Sequence, residues 1–122
     1  MIPHEFILEM LYPLPTRTKS MFGNTAIYVG NKIVLATRRK ASAPVDNGIW
    51  VGTKMEHHKA LKKMFPSLCH LQTYSIKKWL LLPEDVDDFE ETANAISELI
   101  KQNSPLIGII PPPRKPRKKE YT

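Results

Sequence analysis

The amino-acid sequence predicts one α+β domain over residues 1–110, an antiparallel sheet of about five strands packed with three helices in the order α-β-β-β-α-β-β-α, followed by a basic, proline-rich, flexible tail over 111–122. Three observations carry this. Apolar residues alternate with a period of two on both sides of Gly30-Asn31, the pattern of two half-buried strands meeting at a tight turn. A period of 3.6 runs through Val86, Phe89, Ala93, Ile96 and Ile100, the apolar stripe of a helix. Finally, 122 residues of 42% apolar composition suffice for a single core, and a chain of this size hides roughly two thirds of its unfolded surface.

Taken in order, Phe6, Ile7, Met10 and Leu11 follow helical spacing from Pro3 onward, and Pro13 with Pro15 ends that helix. Residues 21–29 and 32–38 form the strand pair, with Gly30 and Asn31 supplying the positive φ that a two-residue hairpin demands. Residues 39–47 lack periodicity and end in the turn-forming Asp46-Asn47-Gly48, so a loop leads into a third strand over 48–53. Thr53-Lys54-Met55-Glu56 has the form of a capping box, which predicts a helix to Phe65 that buries Ala60, Leu61, Met64 and Phe65 and is stopped by Pro66. Two further strands, 68–74 and 77–82, join through Ser75-Ile76. The acidic cluster Glu84, Asp85, Asp87, Asp88, Glu90 and Glu91 then precedes the last helix, where the helix dipole favours negative charge. Ser104-Pro105 breaks that helix before a short apolar segment over 106–110.

Composition narrows the function classes. The single cysteine, Cys69, has no partner within the chain for a disulfide, which fits a reducing compartment. No apolar run approaches the ~20 residues of a membrane span, and the first residues lack the charge order of a secretory signal, so the expectation is a cytoplasmic protein with no membrane partner. Of the formal net charge of +6, the last nine residues carry +4, leaving +2 on the body, so the affinity for polyanions is concentrated in the tail.

The stretches Met21-Phe22-Gly23, Ile27-Tyr28-Val29-Gly30-Asn31-Lys32 and Gly48-Ile49-Trp50-Val51 come first, and Met64-Phe65-Pro66, Lys78-Trp79 and the acidic run from Glu84 to Asp88 follow. In this order, over roughly residues 17–102, they resemble the TfoX N-terminal-like and MmcQ/YjbR-like domains. That resemblance implies the α+β fold. It also implies links to competence regulation and DNA association found in parts of the family, with no catalytic motif and no site residue to carry across.

No residue constellation spells out a reaction, and no cofactor or metal is expected. His57 and His58 are consecutive on a helix, so their side chains diverge by about 100° and do not chelate together; the reading is a solvated helix face. Cys69 and His70 are neighbours on a strand and project to opposite faces, which separates thiol from imidazole. His4 reads as an unpartnered surface residue. The scattered glycines match neither a phosphate loop nor a dinucleotide fingerprint, and Trp50 and Trp79 are expected as core mass rather than as a base-stacking platform.

The tail stands apart. Pro111, Pro112, Pro113 and Pro116 hold it extended; it reads either as a solubilising end or, through Arg114, Lys115, Arg117, Lys118 and Lys119, as a segment contacting nucleic-acid phosphates without reading bases. Arg38, Arg39, Lys40, Lys77 and Lys78 are candidates for extending that basic surface. The expected function is thus a noncatalytic binding or regulatory module making weak, nonspecific nucleic-acid contact. Two alternatives are a small-ligand protein or enzyme with a pocket between sheet and helix, and a protein-interaction domain, monomeric or homodimeric, that pairs through a sheet edge.

Overall fold

The apolar periods close into three helices and six strands in a computed structural model that describes residues 2–21, 23–41, 44–72 and 78–110. The elements are α1 (Phe6–Leu11), β1 (Thr16–Met21), β2 (Asn24–Val29), β3 (Lys32–Arg38), β4 (Gly48–Gly52), α2 (Met55–Met64), β5 (Cys69–His70), β6 (Trp79–Pro83) and α3 (Phe89–Lys101). The strands lie in the order β1-β2-β3-β4-β6-β5, with every neighbouring pair antiparallel. The α+β class is as expected, and the sheet has one strand more than the apolar pattern announces. That strand, β1, reads Thr-Arg-Thr-Lys-Ser-Met and leaves its four central positions exposed, so it has no apolar alternation to betray it. It is an edge strand, and Arg17 and Lys19 on it discourage pairing with another chain. Arg17 also lies over the Tyr28 ring, 4.6 Å from its centroid.

Two apolar clusters sandwich the sheet. On one face, Ile27, Leu35, Ile49, Val51, Leu80 and Leu82 pack with Ile7 and Leu11 of α1, Leu61 of α2, and Ile96 and Ile100 of α3. On the other, Ala36, Trp50, Trp79 and Leu81 pack with Met21, Ile33, Cys69, Leu71 and Ile109. Both tryptophans are buried and meet edge to face with centroids 6.2 Å apart, and the Trp50 indole N–H donates to the Asp46 carbonyl at 2.9 Å. They are core, as expected. β4 is buried at all five positions because both clusters claim it. A bulge between the Ile27–Leu35 and Tyr28–Ile33 pairs inserts Val34, which turns both Val34 and Leu35 toward the helices.

Glycine is required at two turns. Gly30 sits at φ +61° in the two-residue connection of β2 to β3. Gly48 opens β4 at φ +144°, where a Cβ would run into the Leu82 carbonyl and lie 2.9 Å from the Glu84 nitrogen.

Several local expectations are corrected. The Thr53–Glu56 capping box does not form: the α2 N-cap is Lys54, and the buried Thr53 hydroxyl instead donates to the Leu106 carbonyl at 2.6 Å. The α2 face is also rotated, burying His58, Leu61 and Phe65 while Ala60 and Met64 are exposed. α3 begins only at Phe89, so Glu90 and Glu91 occupy its first turn while Glu84, Asp85 and Asp87 precede it in turns. Of the expected strand over 68–74, β5 takes Cys69–His70, while Thr73, Tyr74 and the Ser75-Ile76 connection lie outside the described residues. Among the described residues, no helix is long and apolar enough to cross a membrane.

Candidate nucleic-acid interface

Antiparallel order decides which strand ends meet. β3 begins where β4 ends, since Leu35 pairs with Val51, and β6 begins there too, since Trp79 pairs with Gly52. Each of these ends carries a lysine: Lys32 opens β3, Lys54 follows β4, and Lys78 precedes β6. The segment after α3 crosses the same end. It is pinned there by the Gly108 N–H to the Gly52 carbonyl at 2.7 Å, by the reciprocal Ile33–Ile109 pair at 2.8 and 2.9 Å, and by the Thr53 hydroxyl on Leu106. The result is a cleft of about 290 Å³ lined by Lys32, Thr53, Lys54, Lys78, Pro105 and residues 107–110, with no carboxylate in its wall among the described residues. Lys54 and Lys78 are exposed, and the Lys32 ammonium donates to the Asn103 side-chain oxygen at 3.1 Å just beyond α3.

The opposite end of the same strands is acidic. There Asp46, Glu84 and Asp85 line a cleft of about 340 Å³ together with Cys69 and Gln72. Asp46, left-handed at φ +68°, accepts the Gln72 backbone N–H at 2.8 Å. α3 runs between the ends, its N-terminus beside the acidic residues and its C-terminus toward Lys32 and Asn103. The helix dipole therefore favours the charge found at each end.

Among the basic residues singled out from sequence, Lys78 joins the cleft. Arg38 does not extend a basic surface: it is buried, with its Nε donating to the Val45 carbonyl at 3.2 Å. Arg39 is exposed but leans toward Glu84 at 3.7 Å, and Lys40 is half-buried, its backbone N–H donating to the Asn47 side chain. Lys77 and the tail candidates Arg114, Lys115, Arg117, Lys118 and Lys119 lie outside the described residues. Sequence reasoning passed over Lys32 and Lys54. The signal was a lysine directly abutting a strand end three times over, which becomes a cluster only once strand order is known.

The other reactive side chains are distributed over both ends. His4 is not an unpartnered surface residue: its side chain is 9% exposed, its ring packs against Phe6 and Phe89, and its Nε2 is 3.1 Å from Glu84 Oε1. Burial lowers its pKa despite the attraction of Glu84. His58 is not solvated either. It is 8% exposed, and its pKa is lowered first by burial and then by the neighbouring His70. Cys69 and His70 diverge as expected, Cys69 into the tryptophan cluster and His70 toward α2, where Lys62 Nζ reaches its Nε2 at 3.3 Å. Burial, reinforced by Asp46, pushes the Cys69 thiol up, so it remains protonated at neutral pH. Asp88 bridges α3 to the end of α2, accepting the Ser67 hydroxyl at 2.6 Å and the Thr92 hydroxyl at 3.0 Å, which hold its carboxyl below the usual range.

Among the described residues, cysteine, histidine and acid do not converge in one cleft: the Cys69 cleft holds acids without a histidine, His4 lies against Glu84, the His57 ring is 3.8 Å from the Glu56 carboxylate, and His58 meets His70. No family model, no curated protein and no solved structure matches the chain.

Proposed function

We propose that this chain is a noncatalytic binding module whose lysine-lined sheet end holds the phosphate backbone of a nucleic acid. Arg114, Lys115, Arg117, Lys118 and Lys119 continue the contact along the strand. The observation that supports this reading is the cleft itself, in which Lys32, Lys54 and Lys78 face one volume with no acid among its described wall residues and with Ile110, the residue before the basic tail, on its rim. Lysines arranged this way recognise charge and spacing rather than base identity, so the binding is salt-sensitive and indifferent to sequence. The likeness to TfoX N-terminal-like and MmcQ/YjbR-like domains belongs to the same proposal. It rests on the quoted motifs and on an element order that differs by the added edge strand.

Fluorescence anisotropy of a labelled DNA duplex at several salt concentrations tests this. Replacing Lys32, Lys54 and Lys78 by Gln lowers affinity and reduces the slope of log K against log salt by up to about 3, whereas neutralising the five tail cations reduces it by up to about 4 to 5. An affinity and slope unchanged by the cleft substitutions would remove the cleft from the interface.

A further inference from the structure

The pairs His57-His58 and Cys69-His70 each fail as chelates for the same reason, that adjacent side chains diverge. The fold takes one histidine from each. His58, on the buried face of α2, and His70, on β5, stand with ring centroids 5.7 Å apart and planes inclined by 52°. Two imidazoles bound to one tetrahedral ion at N–metal distances of about 2.0–2.1 Å keep their centroids roughly 5 Å apart, and slightly more as the angle at the metal opens. The pair therefore stands close to chelating distance.

The protonation pattern suits this. His58 Nε2 is buried and has no hydrogen-bond partner. In the Nδ1–H tautomer of a neutral imidazole, Nε2 carries a lone pair that a metal ion can take. Burial keeps the ring neutral, as a ligand must be. On His70, the corresponding lone pair already meets a cation, the Lys62 ammonium at 3.3 Å.

We propose that His58 Nε2 and His70 Nε2 together bind a divalent transition-metal ion of the Zn²⁺ or Co²⁺ type, which takes the place of Lys62 at His70. Two imidazoles without a carboxylate select such borderline ions over Mg²⁺ and Ca²⁺, which prefer oxygen. Among the described residues, no group of three His, Cys, Asp or Glu side chains converges here, so water completes the coordination shell.

The test is a titration of the full chain, free of added histidines, with Co²⁺ followed by its d–d absorption, and with Zn²⁺ in competition with a chromophoric chelator. One ion binds per chain. Because His70 is exposed, His70→Ala keeps the fold, checked by circular dichroism, and loses more than the about 10- to 100-fold in affinity that removal of an outer-shell partner costs. Lys62→Met removes a competing charge and tightens binding. A Co²⁺ spectrum that stays that of the aqua ion, an affinity unaltered by His70→Ala, or a weaker affinity in Lys62→Met would each overturn the assignment.

Discussion

Two buried histidines and one hydrogen-bonded carboxylate are expected to make this protein less stable in acid. Burial depresses the pKa of both His4 and His58 below the ordinary 6.5, so between each lowered value and 6.5 the unfolded chain binds more protons than the folded one. Their contribution to stability is complete above 6.5 and is lost as pH falls through that interval. Asp88 adds a later loss. Its carboxyl sits below 3.8 because Ser67 and Thr92 donate to it, so that contribution is present above 3.8 and disappears on further acidification. The thermal midpoint is therefore expected to fall between about pH 7.5 and about pH 5.5, and His58→Gln flattens part of the fall. A midpoint independent of pH across that range, followed by circular dichroism, would show that neither histidine is held neutral by the fold. The motif that suggested paired histidines was visible in the sequence, but the partner of His58 was not, because the next element, β5, supplies it only once it has turned back onto α2.

At the scale of elements, the segment after α3 is fastened to the sheet by Thr53, the residue whose spacing to Glu56 imitates a helix cap. The hydroxyl is better used on Leu106, because the carbonyl it satisfies belongs to a part-buried crossing. Thr53→Val is expected to cost about 1–2 kcal/mol and to accelerate amide exchange at Gly108 and Ile109, whereas Glu56→Gln changes stability by less than about 0.5 kcal/mol. Denaturant melts and hydrogen exchange measure both; a larger loss in Glu56→Gln would restore the capping box. The strand β1 shows the converse failure. Its polar sequence carries no periodic signal, and it becomes a strand because β2, folded against β3, offers Ala26 and Thr25 as pairing partners for Lys19 and Ser20.

For the whole molecule, one sheet separates two cores and also two charges. Since β4 contributes Ile49 and Val51 to one cluster and Trp50 to the other, neither cluster unfolds without the other. Leu82→Ala, on the helix side, is expected to lower stability by about 2–5 kcal/mol, with tryptophan fluorescence reporting the opposite face at the same midpoint as far-UV circular dichroism. Separate midpoints would mean that the faces are independent. The polarity of charge along the strands has the same origin, because antiparallel alternation gathers the starts of β3 and β6 and the end of β4 at the lysine end and sends their other ends to Asp46 and Glu84. By itself the sequence determined what period and turn chemistry encode: the α+β class, the β2–β3 hairpin, the stripe of α3 and the divergence of Cys69 from His70. Only the tertiary structure decided that Lys32, Lys54 and Lys78 share a cleft, that Arg38 is buried, and that His58 meets His70. Local patterns specify which way a side chain points from its own element, whereas which side chains meet depends on strand order and on contacts between residues remote in sequence.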